Sequence, residues 1–167
     1  MKIKELKAGV QVDTPRFVKT LAERYQIKNG SLLFSWSADL DVYIWANGEG
    51  WLNQHLFLVD SRNALLPLPK SFLFHALAAS MPSFRALSNG ATMKHIKRSA
   101  LSEVKTLLPQ SGALTAFDRI VQPIHDLVIR LSQKNANLRT TRDLLLPKLI
   151  SGELDVSTLP EPQAETA

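Results

Sequence analysis

The sequence predicts an α+β fold, in which a small mixed globular domain is followed by one long C-terminal helix. Three observations support this prediction. Short apolar and aromatic segments occur between residues 31 and 59. Apolar residues at helical spacing lie on both sides of them, and a heptad pattern follows residue 113. The 167 residues are 45% hydrophobic and 21% charged, as is typical of a globular protein.

Two short helices are predicted in the first part of the chain. Thr14 and Pro15 resemble an N-cap followed by a first-turn proline, and helical spacing then predicts a helix over 14–25, ended by the turn at 28–30. Pro67 and Pro69 introduce a second helix over 69–81, which Pro82 is expected to stop. Its buried side is expected to carry Phe72, Leu73, Ala76, Leu77 and Ser80.

Three strands are predicted between these helices, over 31–36, 42–46 and 53–59, because their apolar residues alternate or are β-branched and aromatic. The turn residues at 47–50 lie between the last two strands and favour a hairpin. Residues 91–97 are expected to form a short strand or an extended loop.

The clearest pattern lies after residue 113, where side chains recur alternately three and four residues apart. A helix of this extent is on the order of 50 Å long, too long for its own domain to cover, so we expect a partner helix. Polar Asn135 and Arg142 at a positions are typical of residues that fix register or partner choice. An oligomerisation helix without a special partner stays open. Pro123 should kink or delay the helix, and Pro147 should end or bend it. The seam consists of Leu114, Phe117, Val121, Ile124, Val128, Leu131, Asn135, Leu138, Arg142, Leu145 and Leu149.

These patterns divide the chain into three parts, and the first boundary lies at the turn-forming residues 109–112. A globular domain is expected over 1–112, a coiled-coil or dimerisation helix over 113–152, and a disordered tail over 153–167. The first part holds the basic charge: residues 1–112 contain 14 Lys and Arg against 8 Asp and Glu. A basic globular part suggests a polyanionic partner, most often a nucleic acid.

Several function classes are disfavoured. The chain has no cysteine, which excludes disulfides and thiol chemistry and fits the cytoplasm. We find no secretory signal, no apolar run long enough to span a membrane and no nucleotide-binding glycine motif. The four histidines lack metal-ligand spacing, and Asp39 and Asp41 alone could support a nuclease. We therefore expect no catalytic residue, metal or cofactor.

Candidate nucleic-acid contacts fall in three separate segments. The densest basic cluster can meet phosphates, and its arginine can bind a guanine edge. Trp36 and Ser37 lie at the junction between the first strand and the following loop. The amides of Asn53 and Gln54, at the start of the third predicted strand, can pair with adenine. Each segment could equally serve the fold alone. The predicted DNA-binding residues are Trp36, Ser37, Asn53, Gln54, His55, Lys94, His95, Lys97 and Arg98.

Four runs, in this order, resemble the DNA-specificity subunit of type I restriction–modification systems over roughly residues 1–156. They are KNGSLLFSWS at 28–37, LNQHLFLV at 52–59, ATMKHIK at 91–97 and LRTTRDLLLPKLISGEL at 138–154. The resemblance implies a target recognition domain that reads one half of a bipartite double-stranded DNA site. It also implies a helix that forms an antiparallel coiled coil and docks the methyltransferase subunits, and through them the restriction subunit.

The sequence departs from that family in two ways. Subunits of this family carry two recognition domains and two helices, whereas this chain has one of each, and its domain begins late. We therefore expect a half-size, N-terminally short specificity subunit that pairs with a second copy or another specificity chain. The alternative is an assembly module that binds the methyltransferase or a specificity chain without reading DNA.

Overall fold

The computed structural model describes residues 3–11, 13–19, 21–61, 66–90 and 94–157 and confirms the α+β class. It divides into two compact units, Met1–Gln133 and Lys134–Ala167. The helices are α1 (Ile3–Ala8), α2 (Lys70–Ala86) and α3 (Ser111–Ile150), and 3-10 turns cover Glu23–Tyr25 and Arg98–Ser102. The strands are β1 (Gln26–Ile27), β2 (Leu32–Ser35), β3 (Asp41–Ile44), β4 (Gly50–Trp51) and β5 (Leu56–Val59).

The central element of the first unit is β2, whose four residues are all buried. It pairs antiparallel with β3 on one side and β5 on the other, so that Phe34 lies opposite both Val42 and Phe57. The predicted hairpin between the second and third strands is therefore wrong. These strands flank β2, and the chain between them forms β4, which pairs with β1.

Alternation along β2 divides the apolar core between the two faces of the sheet, because successive side chains point in opposite directions. Phe34 belongs to a cluster with Met81, Phe84 and Ile96, and its ring meets that of Phe84 edge to face at 5.1 Å. Leu33 belongs to the other cluster, which contains Ile27 and Trp45. The sheet is thus covered on both faces.

Pro82 does not stop α2, contrary to the sequence prediction, because the helix continues to Ala86. Its buried side chains are Ser71, Met81 and Phe84, whereas the predicted buried side is only half-buried. Met81 and Phe84 flank Pro82 and pack into the core, so burial outweighs the one helical hydrogen bond that a proline cannot make.

The predicted helix over 14–25 is also wrong. Among the described residues of that range, only the 3-10 turn Glu23–Tyr25 is helical, and the N-terminal helix lies earlier, at α1. Gly9, with φ of +74°, follows the end of α1. Phe17, Leu21 and Tyr25 are exposed, so their helical spacing faces no surface that could stabilise a helix by burial.

Neither proline of the long helix interrupts it, since α3 includes both Pro123 and Pro147 and ends at Ile150. Gly152, with φ of +73°, follows in the left-handed conformation typical of a helix end. Residues 153–157 are exposed. The rest of the predicted tail, and residues 91–93 of the predicted extended segment, lie outside the described residues.

Candidate nucleic-acid interface

The fold brings together the three segments in which the sequence predicts DNA contacts. Trp36 lies in the middle, directly after β2. Its backbone N–H donates to the carbonyl of His55 at 3.3 Å, and its carbonyl accepts from the backbone N–H of Ile96 at 2.9 Å. The exit of β2 is therefore flanked by the 53–55 turn and by the basic 94–98 segment. We call this region the Trp36 surface, comprising residues 36–38, 53–55, 57 and 94–98.

Aromatic rings support the Trp36 surface on one side. The ring of Trp36 stacks on Phe57 with 5.9 Å between centroids and lies at the same distance from the ring of His55. The guanidinium of Arg98 also lies over the ring of Phe57, 6.0 Å from its centroid. Sequence analysis did not single out Phe57, which joins the tryptophan to the basic segment.

The basic segment is held to the chain after β2 by backbone hydrogen bonds. The N–H of Ala38 donates to the carbonyl of Lys94 at 2.8 Å, and His95 forms antiparallel bridges with Ser37 and Asn89. Ser37 is buried and the hydroxyl of Ser35 donates to its carbonyl. Ser37 and His95 therefore fix the backbone of the surface.

Three cations are exposed on this backbone: Lys94, Lys97 and Arg98. Within the part of the chain that the structure describes, none of them pairs with a carboxylate. Cations held by a fixed backbone and not neutralised by neighbours suit the phosphates of a nucleic acid.

The amides before β5 differ in their availability. The side-chain oxygen of Asn53 accepts from the backbone N–H of His55 at 3.0 Å, which shapes the turn into β5. Gln54 is exposed, and its Nε2 lies 3.3 Å from Nε2 of His55. Gln54 is thus the amide that is better placed to reach a base edge.

Two buried side-chain nitrogens at this surface have no hydrogen-bond partner among the described residues, Nε1 of Trp36 and Nδ1 of His55. Buried polar atoms without partners are rare and costly in folded proteins. Both atoms belong to the group of contacting rings formed by Trp36, His55 and Phe57.

Asp39, one of the two carboxylates that could have supported a nuclease, takes part in structural contacts. It accepts from the hydroxyl of Tyr43 at 2.7 Å and lies 2.8 Å from the ammonium of Lys7. Its pKa is lowered by the hydrogen bond from Lys7 and by that from Tyr43, and burial with the Asp39 bond raises the pKa of Tyr43. The Oδ1 atom of Asp41 accepts a hydrogen bond from the backbone N–H of Val42. Across the described ranges, no three His, Asp or Glu residues could hold a metal ion.

The predicted helix seam is partly covered within the first unit. Leu114 is buried and Phe117 and Val121 are half-buried, whereas Ile124, Val128 and Leu131 are about half exposed. A straight helix drifts by about 20° per heptad relative to a 3.5-residue repeat. The face that packs on the domain therefore continues through His125 and Ile129 and leaves the later seam positions exposed.

In the second unit every described residue is exposed. The seam residues Leu138, Leu145 and Leu149 have 66%, 41% and 40% of their surface accessible, and polar Asn135 and Arg142 lie among them. An apolar row of this kind on a helix without cover from its own unit is typical of an interaction surface.

A contact that the sequence pattern did not predict holds the first half of α3 against α2. Nε2 of His125 lies 3.3 Å from Nε2 of His75 on α2, and both rings contact Phe74. Close by, the hydroxyl of Ser71 donates to the carboxylate of Asp118 at 2.6 Å. Nothing in the one-dimensional pattern could pair these residues, because they lie about fifty positions apart.

Comparisons with known proteins identify the family of this chain. A family profile described as the type I restriction modification DNA specificity domain matches residues 9–145. The chain belongs to this family. A curated relative, the MjaIX specificity subunit of a type I restriction enzyme from Methanocaldococcus jannaschii, is 26% identical over 95% of this chain. The chain spans 38% of the length of that relative.

A solved structure shares the fold of this specificity domain. The S subunit of a type I restriction–modification system from M. genitalium superimposes with a TM-score of 0.50 and 21% sequence identity, covering 74% of this chain and 33% of that one. The family is described by DNA specificity and not by a reaction, in agreement with the prediction that the chain is not an enzyme. Among the described helices, none combines the length and the apolar content that a membrane-spanning segment requires.

Proposed function

We propose that this specificity domain is a non-catalytic, cytoplasmic DNA-recognition module of a type I restriction–modification system. It reads one half of a bipartite double-stranded site through the Trp36 surface. The helix α3 pairs with a second copy or another specificity chain, and the module docks methyltransferase subunits and, through them, the restriction subunit. The convergence of the three predicted segments around Trp36 is the observation that carries the proposal.

The chemistry of the Trp36 surface supports duplex binding. Lys94, Lys97 and Arg98 supply phosphate contacts, and Gln54 and Arg98 are the residue types that read adenine and guanine edges in the major groove. Each neutralised phosphate contributes about −0.9 to the slope of log affinity against log salt. Three such contacts give a slope of about −3 for one domain.

A series of charge-removing variants tests the proposal. The full chain binds a pool of labelled duplexes in fluorescence anisotropy at several salt concentrations, alone and with the methyltransferase subunits. Replacing Lys94, Lys97 and Arg98 by alanine should abolish most of the salt slope, because the phosphate contacts are lost.

The matched control removes the same charge elsewhere on the domain, by alanine at exposed Arg16, Lys19 and Arg24. It should keep most of the wild-type slope. Equal losses from both triple variants would show that only net charge matters and would contradict a defined DNA surface.

The exposed seam of α3 favours a second candidate, an assembly module that binds the methyltransferase or another specificity chain without reading DNA. Under this alternative the chain associates through Leu138 and Leu145, which are exposed in the second unit. Failure of the wild-type chain to bind any duplex, with or without the methyltransferase, combined with retained association, would favour it.

A further inference from the structure

Ala38 stands out at the Trp36 surface because of its backbone. Its φ is +65°, and it is the one non-glycine residue with positive φ among the described residues. A Cβ in the left-handed conformation crowds the following carbonyl, so that glycine is the residue that fits such a position without strain. The exposed methyl group of Ala38 is therefore kept at an energetic cost.

The turn that carries this methyl group is held on both sides. The N–H of Ala38 is bound by the Lys94 carbonyl, and the N–H of Asp39 donates to the Ser37 carbonyl at 2.9 Å. The Ser37 carbonyl also accepts from Ser35 Oγ, and the Asp39 carboxylate is bound by Lys7 and Tyr43. These contacts over-determine the turn, which is the condition under which backbone strain persists.

We infer that Ala38 is a specificity-determining residue of the DNA interface, whose methyl group contacts the 5-methyl group of a thymine in the major groove. This inference rests on the proposed function. The methyl group is small and exposed, and the backbone N–H of the same residue donates to the carbonyl of Lys94 at 2.8 Å. An alanine side chain at such a place offers one type of readout, an apolar contact with the thymine methyl group.

The test compares two substitutions, one before and one after strand β3. Ala38→Gly removes the methyl group and relieves the backbone. Gly48→Ala does the reverse beyond the other end of β3, where φ is +83° and an added Cβ meets nothing within 4 Å. We expect Ala38→Gly to keep or raise the midpoint of thermal unfolding and Gly48→Ala to lower it.

In DNA binding we expect the reverse: Ala38→Gly should lose affinity, and Gly48→Ala should not. The preferred duplex is selected from a random pool with the full wild-type chain, and each thymine is then replaced in turn by uracil. At one position uracil should weaken wild-type binding about fourfold, the value expected for one buried methyl group. Ala38→Gly should show the same fourfold loss with thymine and no further loss with uracil, whereas Gly48→Ala should behave as wild type.

The outcomes separate this inference from the proposed function. If the wild-type chain binds no duplex, the proposed function fails. If it binds a preferred duplex and Ala38→Gly keeps every thymine preference, the role of Ala38 is overturned while the proposed function stands. A drop in unfolding midpoint for Ala38→Gly as large as that for Gly48→Ala would also overturn it, because Ala38 would then be unstrained.

Discussion

The two halves of α3 carry one heptad pattern but have different surroundings. Up to Gln133 the helix belongs to the first unit, where Leu114 and His125 are buried and Asp118 binds Ser71. From Lys134 onward every described residue is exposed, including the leucines of the seam. An apolar repeat therefore indicates where a helix needs a surface to pack against, but not whether that surface belongs to its own domain or to another chain.

The largest effect is expected from charges in the exposed part of the seam. Replacing Leu131 and Leu138 by aspartate should abolish self-association. Full burial of a leucine contributes about 1.5–3 kcal/mol. Because these two side chains are 49% and 66% exposed in the chain, the four leucines of a homodimer would contribute roughly 3–6 kcal/mol. Sedimentation velocity of the full chain measures the oligomeric state. The unfolding midpoint of the first unit should change little, since both side chains are exposed in the isolated chain.

Leu144→Asp is the matched control for this pair. Leu144 lies on the same helix and is 64% exposed, but it occupies neither an a nor a d position of the repeat. It should leave the oligomer intact. An oligomer that survives the double substitution, or dissociates equally with Leu144→Asp, would show that the a/d seam is not the interface.

A smaller effect is expected in the covered half of α3, from Ser71→Ala. Ser71 is fully buried at the beginning of α2, and its hydroxyl donates to the half-buried carboxylate of Asp118. Hydrogen bonds to charged groups contribute about 1.5–3 kcal/mol, so the free energy of unfolding should fall by about that amount in urea denaturation.

Ser80→Ala on the same helix provides the comparison for Ser71. The Ser80 hydroxyl bonds only a carbonyl of its own helix, that of Ala76, among the described contacts. Its loss should change stability by a few tenths of a kcal/mol, about the level of an ordinary surface substitution. Equal costs at the two serines would mean that the contact between α2 and α3 adds no stability.

The elements that sequence analysis found are those with a strong local pattern. The first three residues of β2 are apolar or aromatic, and the repeat of α3 continues from residue 114 to residue 149, so both could be located without tertiary information. In the helix predicted over 14–25 the apolar residues have helical spacing, but their side chains are exposed and gain nothing from burial. Pro82 was predicted to stop a helix, Pro123 to kink or delay one and Pro147 to end or bend one, yet each lies inside a helix.

What the sequence could not provide was long-range pairing. The residue types at the Trp36 surface suggested DNA contacts one segment at a time, but their convergence depends on hydrogen bonds between Trp36, His55 and Ile96. The placement of β2 between β3 and β5 creates this arrangement and follows from the whole sheet. Whether those residues touch DNA stays a prediction.

The smallest effect concerns the pH dependence of the covered half of α3. Burial is the main cause that lowers the pKa of His125 below 6.5, and the neighbouring His75 adds to it, whereas Asp126 and Asp118 act in the opposite direction. A proton that the folded state binds less readily than the unfolded chain destabilises the fold as the pH falls. The free energy of unfolding is therefore unaffected by this proton above about pH 6.5, and it decreases as the pH falls from there towards the folded-state pKa of His125.

Urea midpoints measured from about pH 7.5 down to about pH 5 should therefore fall more steeply for the wild-type chain than for His125→Gln, which cannot take up this proton. His75→Gln separates the two causes, because it removes the neighbouring charge but keeps the burial of His125. It should retain most of the wild-type slope. A slope that is lost equally in both variants would assign the effect to the charge of the histidine pair, and an unchanged slope in His125→Gln would show that the packing of α3 on α2 does not depend on this proton.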